Sequence, residues 1–247
     1  MKRFSKFITL TLAAVALLGG CGKGNDPDDP TKPIDPTKPI DPTKPEPGTP
    51  TVKTYAVGDY YEKGFVKGIV VSTDEKGEHG LIVSLKEFEG AWALRDENVM
   101  NGQPGTGAYN TGLVQKLDDW RNYYPAFERA TSLNVGALKD WFLPSMNELA
   151  HLYKAYTGHE TNDVDQGTGS TQSVKSANAS EDEMKAKFNK ILTDNKGTAL
   201  SDGIYWSSNE SGPSIAYAFN MGSGSTITVP NDLEKKNKYR VRPMASF

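Results

Sequence analysis

DWFLPSMNELAHLYKAYTG, Asp140 to Gly158, decides how the rest of the chain is read. Pro144 stops whatever precedes it, and Ser145-Met146-Asn147-Glu148 is a capping box. The serine oxygen takes the amide of the glutamate, and the glutamate carboxylate takes the amide of the serine. Met146, Leu149, Leu152, Tyr153 and Tyr156 then recur at helical spacing as one apolar stripe, and Gly158 ends the helix in the conformation glycine adopts most easily. The same device recurs at Ser180-Glu181-Asp182-Glu183, followed by the stripe Met184, Phe188, Ile191 and Leu192. Between the two helices, His159 to Ala179 is polar and rich in Gly, Ser and Thr, the composition of a surface loop.

The flanks have a different period. Lys67–Ser72 and Gly80–Leu85 are two strands, with the turn residues Asp74-Glu75-Lys76-Gly77 between them. Asn110–Trp120 carries Leu113, Leu117 and Trp120 at helical spacing. Towards the C-terminus Ile204–Ser208 is a strand. Ile215, Tyr217, Phe219 and Met221 alternate with Ala216, Ala218 and Asn220 at period two. Gly222-Ser223-Gly224 turns that strand into Thr226–Val229 as a hairpin, and Tyr239–Phe247 closes the domain. Residues 51–247 hold one domain's worth of chain.

Ahead of it stands MKRFSKFITLTLAAVALLGGC. The cations Lys2, Arg3 and Lys6 precede an apolar run, Phe7 to Leu18, and the small residues Gly19 and Gly20. This is the pattern of a secretion signal over residues 1–20, and the run is shorter than the ~20 apolar residues that span a bilayer. Leu18-Gly19-Gly20-Cys21 resembles the lipobox of bacterial lipoproteins. The resemblance implies cleavage before Cys21, lipidation of its thiol and anchoring in the outer membrane, at the cell surface. Cys21 is the single cysteine in the chain, so no internal disulfide forms. Residues 21–50 repeat TKPIDP, at Thr31–Pro36 and Thr37–Pro42. Prolines remove amide donors and fix φ, which makes this a tether whose Asp26–Pro50 part reaches roughly 75 Å if extended as polyproline II.

The formal charge of the whole chain is −3, and loss of the three signal cations, with no acid among residues 1–20, takes it to −6. That balance argues against nucleic acid as a partner, because nucleic-acid binding needs a basic footprint. Metal chemistry finds little support. His79, His151 and His159 form no metal-binding pair. The acidic run Asn162–Gly167 fails the EF-hand template, since with Gly167 at the sixth place the third is Val164 and the twelfth Ser173. Asp118 and Asp119 are adjacent on a helix and face different ways, whereas glycoside hydrolysis needs two carboxyl groups facing one bond. Glycan hydrolysis is therefore the weakest of the functions considered, and no cofactor is implied.

GDYYEKG, GIVVSTDEKGEHGLIVSL, DWFLPSMNEL, YWSSNE, AYAFNMGSG and YRVRPMASF together resemble the signature blocks of the Lcl C-terminal-type domain of bacterial surface proteins. That domain belongs to the C-type-lectin-like superfamily. The resemblance covers most of Tyr55–Phe247. It implies an α+β fold for residues 51–247, with two or more helices beside a twisted antiparallel sheet, and a ligand-binding role of the kind found in adhesins, one of which binds sulfated glycans. An envelope scaffold that binds another envelope or host protein is the alternative. The chain departs from eukaryotic lectins in lacking disulfides and a clear calcium-ligand set. It also lacks the cysteines that the formylglycine-generating oxidases of the superfamily need.

Candidate binding residues follow. Asn209 stands where the Tyr205-Trp206 strand leaves the core. Tyr217, Asn220 and Ser223 lie on the alternating strand and its hairpin, where an exposed binding face is expected. Lys235, Lys236, Lys238 and Arg240 form a basic cluster suited to an anionic glycan or, equally, to a solvated edge strand. Arg242 is expected to be buried in a structural ion pair with Glu210, or else with Glu148, because a planar guanidinium suits a carboxylate. Trp206 is expected in the core, with a sugar-stacking platform as the minority alternative.

Overall fold

In the computed structural model, residues 52–100, 105–134, 141–161, 180–227 and 229–247 are described. The signal, Cys21, the tether, the 162–167 acidic run and nearly all of the expected 159–179 loop lie outside them.

Tyr60–Lys63 (β1) turns through Gly64 and Phe65 into Val66–Thr73 (β2), and Gly80–Ser84 (β3) pairs antiparallel with β2, Ile69 opposite Val83 and Val70 opposite Ile82. The turn residues before β3 act as expected. Asp74 accepts the amide of Glu78 on its side chain at 3.0 Å, and Gly77 takes φ +71°, where a side chain would be strained. The unbroken apolar run Ile69-Val70-Val71 shows that this sheet is covered on both faces. Ile69, Val71 and Val83 lie in one core cluster, while Val70 and Ile82 lie in another with Tyr61, Trp141 and Ala245.

Phe88–Ala91 (β4) starts a second sheet. Gly107–Val114 (α1) is capped by Thr106, and the short Trp120–Tyr123 (α2) and Pro125–Thr131 (α3) follow. The expected helix over Asn110–Trp120 thus ends early. Asp119 adopts φ 55°, a left-handed conformation that no α-helix continues through, so Trp120 opens a new turn. Met146–Thr157 (α4) and Glu181–Asp194 (α5) carry both capping boxes complete, and Gly158 closes α4 at φ +78°. The whole stripe of α4, Met146, Leu149, Leu152, Tyr153 and Tyr156, is buried.

The remaining strands are Ile204–Glu210 (β5), Ala216–Asn220 (β6) and Ser225–Thr226 (β7); after a 3-10 turn at Pro230–Leu233 come Lys238–Val241 (β8) and Met244–Ser246 (β9). One sheet has the order β1-β2-β3-β9 and is antiparallel. The other has the order β4-β8-β5-β6-β7 and is mixed, since β5 and β8 run parallel with Tyr205 beside Arg240. The protein is therefore α+β with two sheets, where a single antiparallel one was expected. The C-terminal segment divides between them. Pro243 has no amide to donate, and its carbonyl instead accepts from Ser84 at 2.8 Å, which delivers β9 to the edge of β3.

The five-stranded sheet separates two cores. Tyr205, Phe219 and Met221 face α4, α5 and the four-stranded sheet, while Trp206, Ala216, Ala218 and Val241 face Trp92, Tyr124, Phe127 and α1–α3. The indoles buried here keep partners for their N–H groups: Trp206 donates to Gly90 O at 3.0 Å and Trp92 to Ser207 O at 2.8 Å. Trp206 is fully buried and stacks on no solvent-facing surface.

Candidate functional site

Side chains alternate along β8. Tyr239 and Val241 pack with the Trp206 core, while Lys238 and Arg240 point the other way. Arg240 Nε donates to Ser201 Oγ at 2.8 Å and lies 3.5 Å from Glu87 Oε1. The other oxygen of Glu87 accepts from Tyr205 Oη at 2.9 Å and from Arg242 Nη1 at 3.3 Å. Arg242 also donates through Nη2 to Thr198 O at 2.9 Å. One carboxylate is thus shared by two guanidiniums and a phenol, a group with one net positive charge.

The two arginines divide the work. Arg242 is wholly buried, and its desolvation pulls its pKa down against the opposing field of Glu87. Burial, reinforced by the neighbouring Glu87, pushes the Tyr205 hydroxyl up to about 12. The Arg240 side chain is 38% exposed, and its two terminal nitrogens carry no hydrogen bond among the described residues. It is a cation held in position with donors to spare.

Arg242 is buried against a carboxylate as expected, but the partner is Glu87, neither Glu210 nor Glu148. Glu210 is taken by a residue expected on the surface. Lys235 is 1% exposed, and its ammonium donates to Glu210 Oε1 at 2.5 Å, Glu97 O at 2.7 Å and Pro213 O at 2.8 Å, 4.5 Å above the Trp92 ring. Three acceptors use all three ammonium protons, so Lys235 has nothing left to offer a ligand. Its burial lowers its pKa, and Glu210 opposes the shift. Glu210 also accepts the amides of Val99 and Met100 at 2.8 and 2.7 Å on Oε2, which fastens the segment after β4 to the end of β5.

Other candidates also prove structural. Asn209 Oδ1 accepts the Met146 amide at 2.8 Å, tying β5 to the start of α4. Tyr217 is half-buried against the first core, and its neighbours Ala216 and Ala218 fill the second. The strand therefore alternates between two interiors, where it was expected to alternate between core and solvent, and Tyr217 and Asn220 stay partly exposed. Lys236 is exposed and pairs with Glu234 at 2.9 Å. Lys238 is exposed, with no ion pair among the described residues.

What remains converges on one turn, Ser201-Asp202-Gly203. Gly203 O accepts the Met221 amide at 2.8 Å, which brings the β6–β7 turn alongside. In that turn Asn220 Oδ1 accepts from Gly222 at 2.9 Å, and the exposed Ser223 hydroxyl lies 2.7 Å from that of Ser225. Arg240 packs against Gly203, where a β-carbon would come within 3.0 Å of Nε. Lys185 of α5 reaches Asp202 at 2.8 Å. Arg240, Ser201, Asp202, Asn220 and Ser223 thus form a polar rim at one end of the five-stranded sheet. Asp202 and Ser201 stand in sequence as ordinary turn residues, and nothing but the alternation around Arg240 pointed towards them. Glu87 had no signal of its own in SLKEFEG. The rim presents a guanidinium, hydroxyls and an amide, which suits hydrogen bonding to a polyhydroxyl or anionic ligand. Among the described residues no cluster of His, Cys, Asp and Glu can hold a metal ion, and no helix is long and apolar enough to cross a membrane.

No family model matches the chain, and no curated protein matches it. In fold it is similar to a fimbrial protein from Bacteroides ovatus, with a TM-score of 0.50 and 16% sequence identity. The likeness covers 78% of this chain and 49% of that one, so the chain spans about half the length of the structure it matches.

Proposed function

We propose that this chain is a surface-exposed lipoprotein whose 51–247 domain, C-type-lectin-like and of Lcl C-terminal type, binds a glycan in the manner of an adhesin. The observation that carries this reading is Arg240. It is fixed by Ser201 and Glu87, yet keeps free donors at an exposed rim beside Asn220 and Ser223. Its neighbour Arg242 meets the structural need, which leaves Arg240 available for recognition. Lys238, two residues earlier on the same side of β8, adds a second exposed cation. The Leu18–Cys21 motif and the proline-rich tether support presentation of this rim outside the cell, anchored in the outer membrane.

The test is an array of neutral, acidic and sulfated glycans, probed with and without a calcium chelator. Calcium-independent binding that falls with Arg240→Ala and Lys238→Ala, and weakens with added salt, is expected. Binding that those substitutions leave unchanged, or no binding at all, removes the reading. A scaffold in an envelope assembly is the second reading, drawn from the likeness to a fimbrial protein. It predicts cross-linking to another envelope protein that Arg240→Ala does not alter.

A further inference from the structure

The stripe on α5 is wider than the core it covers. Phe188 and Leu192 are buried, but Met184 and Ile191 remain partly open. They face a groove of roughly 490 Å³ between α4, α5 and the end of β2, whose lining shares no residue with the polar rim. Its floor is apolar and belongs to the first core: Val71, Ala155 and Phe188. Its size falls in the range of sites that hold small organic ligands, ~300–1,000 Å³.

The charge around this floor is one-sided. His151 and Lys154 come from α4 and Lys187 from α5, and among the described residues no acidic side chain lines the groove. Lys154 is paired with Glu160, but Lys187 is exposed and has no ion pair among the described residues. Ser72 and Thr73 add hydroxyls at the β2 end. Desolvation, with the Lys154 ammonium nearby, lowers the pKa of His151 and keeps its imidazole neutral at pH 7. The lining is therefore an apolar floor with a cation and uncharged polar groups at its edge. An apolar body laid on Val71, Ala155 and Phe188 places a terminal anion within reach of Lys187.

The geometry points to a binding site for a small amphiphilic monocarboxylate, a free alkyl or aryl carboxylate, seated between α4 and α5 with its carboxylate at Lys187. This site is separate from the polar rim and does not depend on its ligand.

Hexanoate, octanoate and decanoate, each below its micelle concentration, are titrated into the full chain carrying Cys21→Ser, which keeps detergent out of the measurement. Amide chemical shifts of Ser72, Thr73, Ala155 and Lys187 report occupancy. Affinity should rise about fourfold per added methylene if the chain lies on the floor. Lys187→Glu, on an exposed residue, should weaken octanoate about fivefold, in keeping with a surface charge pair, and leave 1-octanol unchanged. Ala155→Leu should weaken both ligands by filling the floor. Arg240→Ala should weaken neither, so failure of the glycan reading and failure of this one are told apart. Shifts that do not saturate, affinity independent of chain length, or equal octanoate binding by Lys187→Glu and the parent would overturn the proposal.

Discussion

Lys235 and Glu210 form an ion pair whose side chains are 1% and 0% exposed, with Nζ and Oε1 2.5 Å apart. Removing one member strands the other. Lys235→Ala should therefore cost about 3–5 kcal/mol of stability, the range for breaking a buried pair. Lys236→Ala, one residue on and exposed, should stay within about 0.5 kcal/mol. Lys235→Met combined with Glu210→Gln should recover part of the loss, because no uncompensated charge is left. Urea denaturation of the four proteins measures all three differences.

Arg242→Ala should destabilise by about 1.5–3 kcal/mol, the range for hydrogen bonds to charged groups. Glu87 keeps Arg240 and Tyr205 as partners, so the loss is smaller than at Lys235. Arg242→Lys should rescue little, because an ammonium cannot span Thr198 O and Glu87 as the fork does. Thermal melts of both variants decide this. A lysine variant as stable as the parent would show that only the charge matters.

The two capping boxes look alike in sequence and differ in the fold. Glu148 is buried, and its Oε2 accepts the amides of Ser145 at 2.7 Å and Gly107 at 3.0 Å, while Glu183 is exposed and among the described residues serves Ser180 alone. Glu148→Ala strands two buried donors and should cost about 1–3 kcal/mol for each. Glu183→Ala should cost about 0.5 kcal/mol. Denaturant midpoints of the two variants should separate clearly.

Glu148 also sets a pH dependence. Burial raises its pKa above the ordinary 4.5, against the pull of its amide partners. The folded state thus holds this proton more tightly than the unfolded chain does. The resulting stabilisation is complete below pH 4.5 and is lost as pH rises through the folded pKa. Glu148→Gln lacks that slope. The difference in melting temperature between parent and Glu148→Gln should shift in favour of the variant from pH 4 towards pH 7, then level off.

If Cys21 carries acyl chains, Cys21→Ser should move the protein from the detergent phase to the aqueous phase in a phase-separation assay. Several chains give stable anchoring where one gives marginal binding. An intact mass of the native protein without acyl groups would remove the anchor from the proposed function.

The starts of helices α4 and α5 were legible to the residue because capping is local: each box lies within four positions of chain, and each stripe follows at once. The β2–β3 hairpin was legible for the same reason. Lys235 was not. Its neighbours in sequence are Glu234 and Lys236, and its acceptors lie at Glu97, Glu210 and Pro213, on segments that only the fold assembles. In the run Lys235-Lys236-Asn237-Lys238 nothing marks the first lysine as the buried one. The partner of Arg242 escaped for a similar reason, since Glu87 stands between β3 and β4 among other charged residues. The period-two pattern of β6 was correctly seen as a strand, but small and large residues alternate equally well between two interiors as between core and water.

Tyr205 and Trp206 are consecutive residues that belong to different cores. Loss of packing on either side of the five-stranded sheet therefore disturbs the same strand, and neither half can melt while the other keeps its wall. A domain whose two larger cores are divided this way should unfold as one cooperative unit, with calorimetric and van't Hoff enthalpies in agreement.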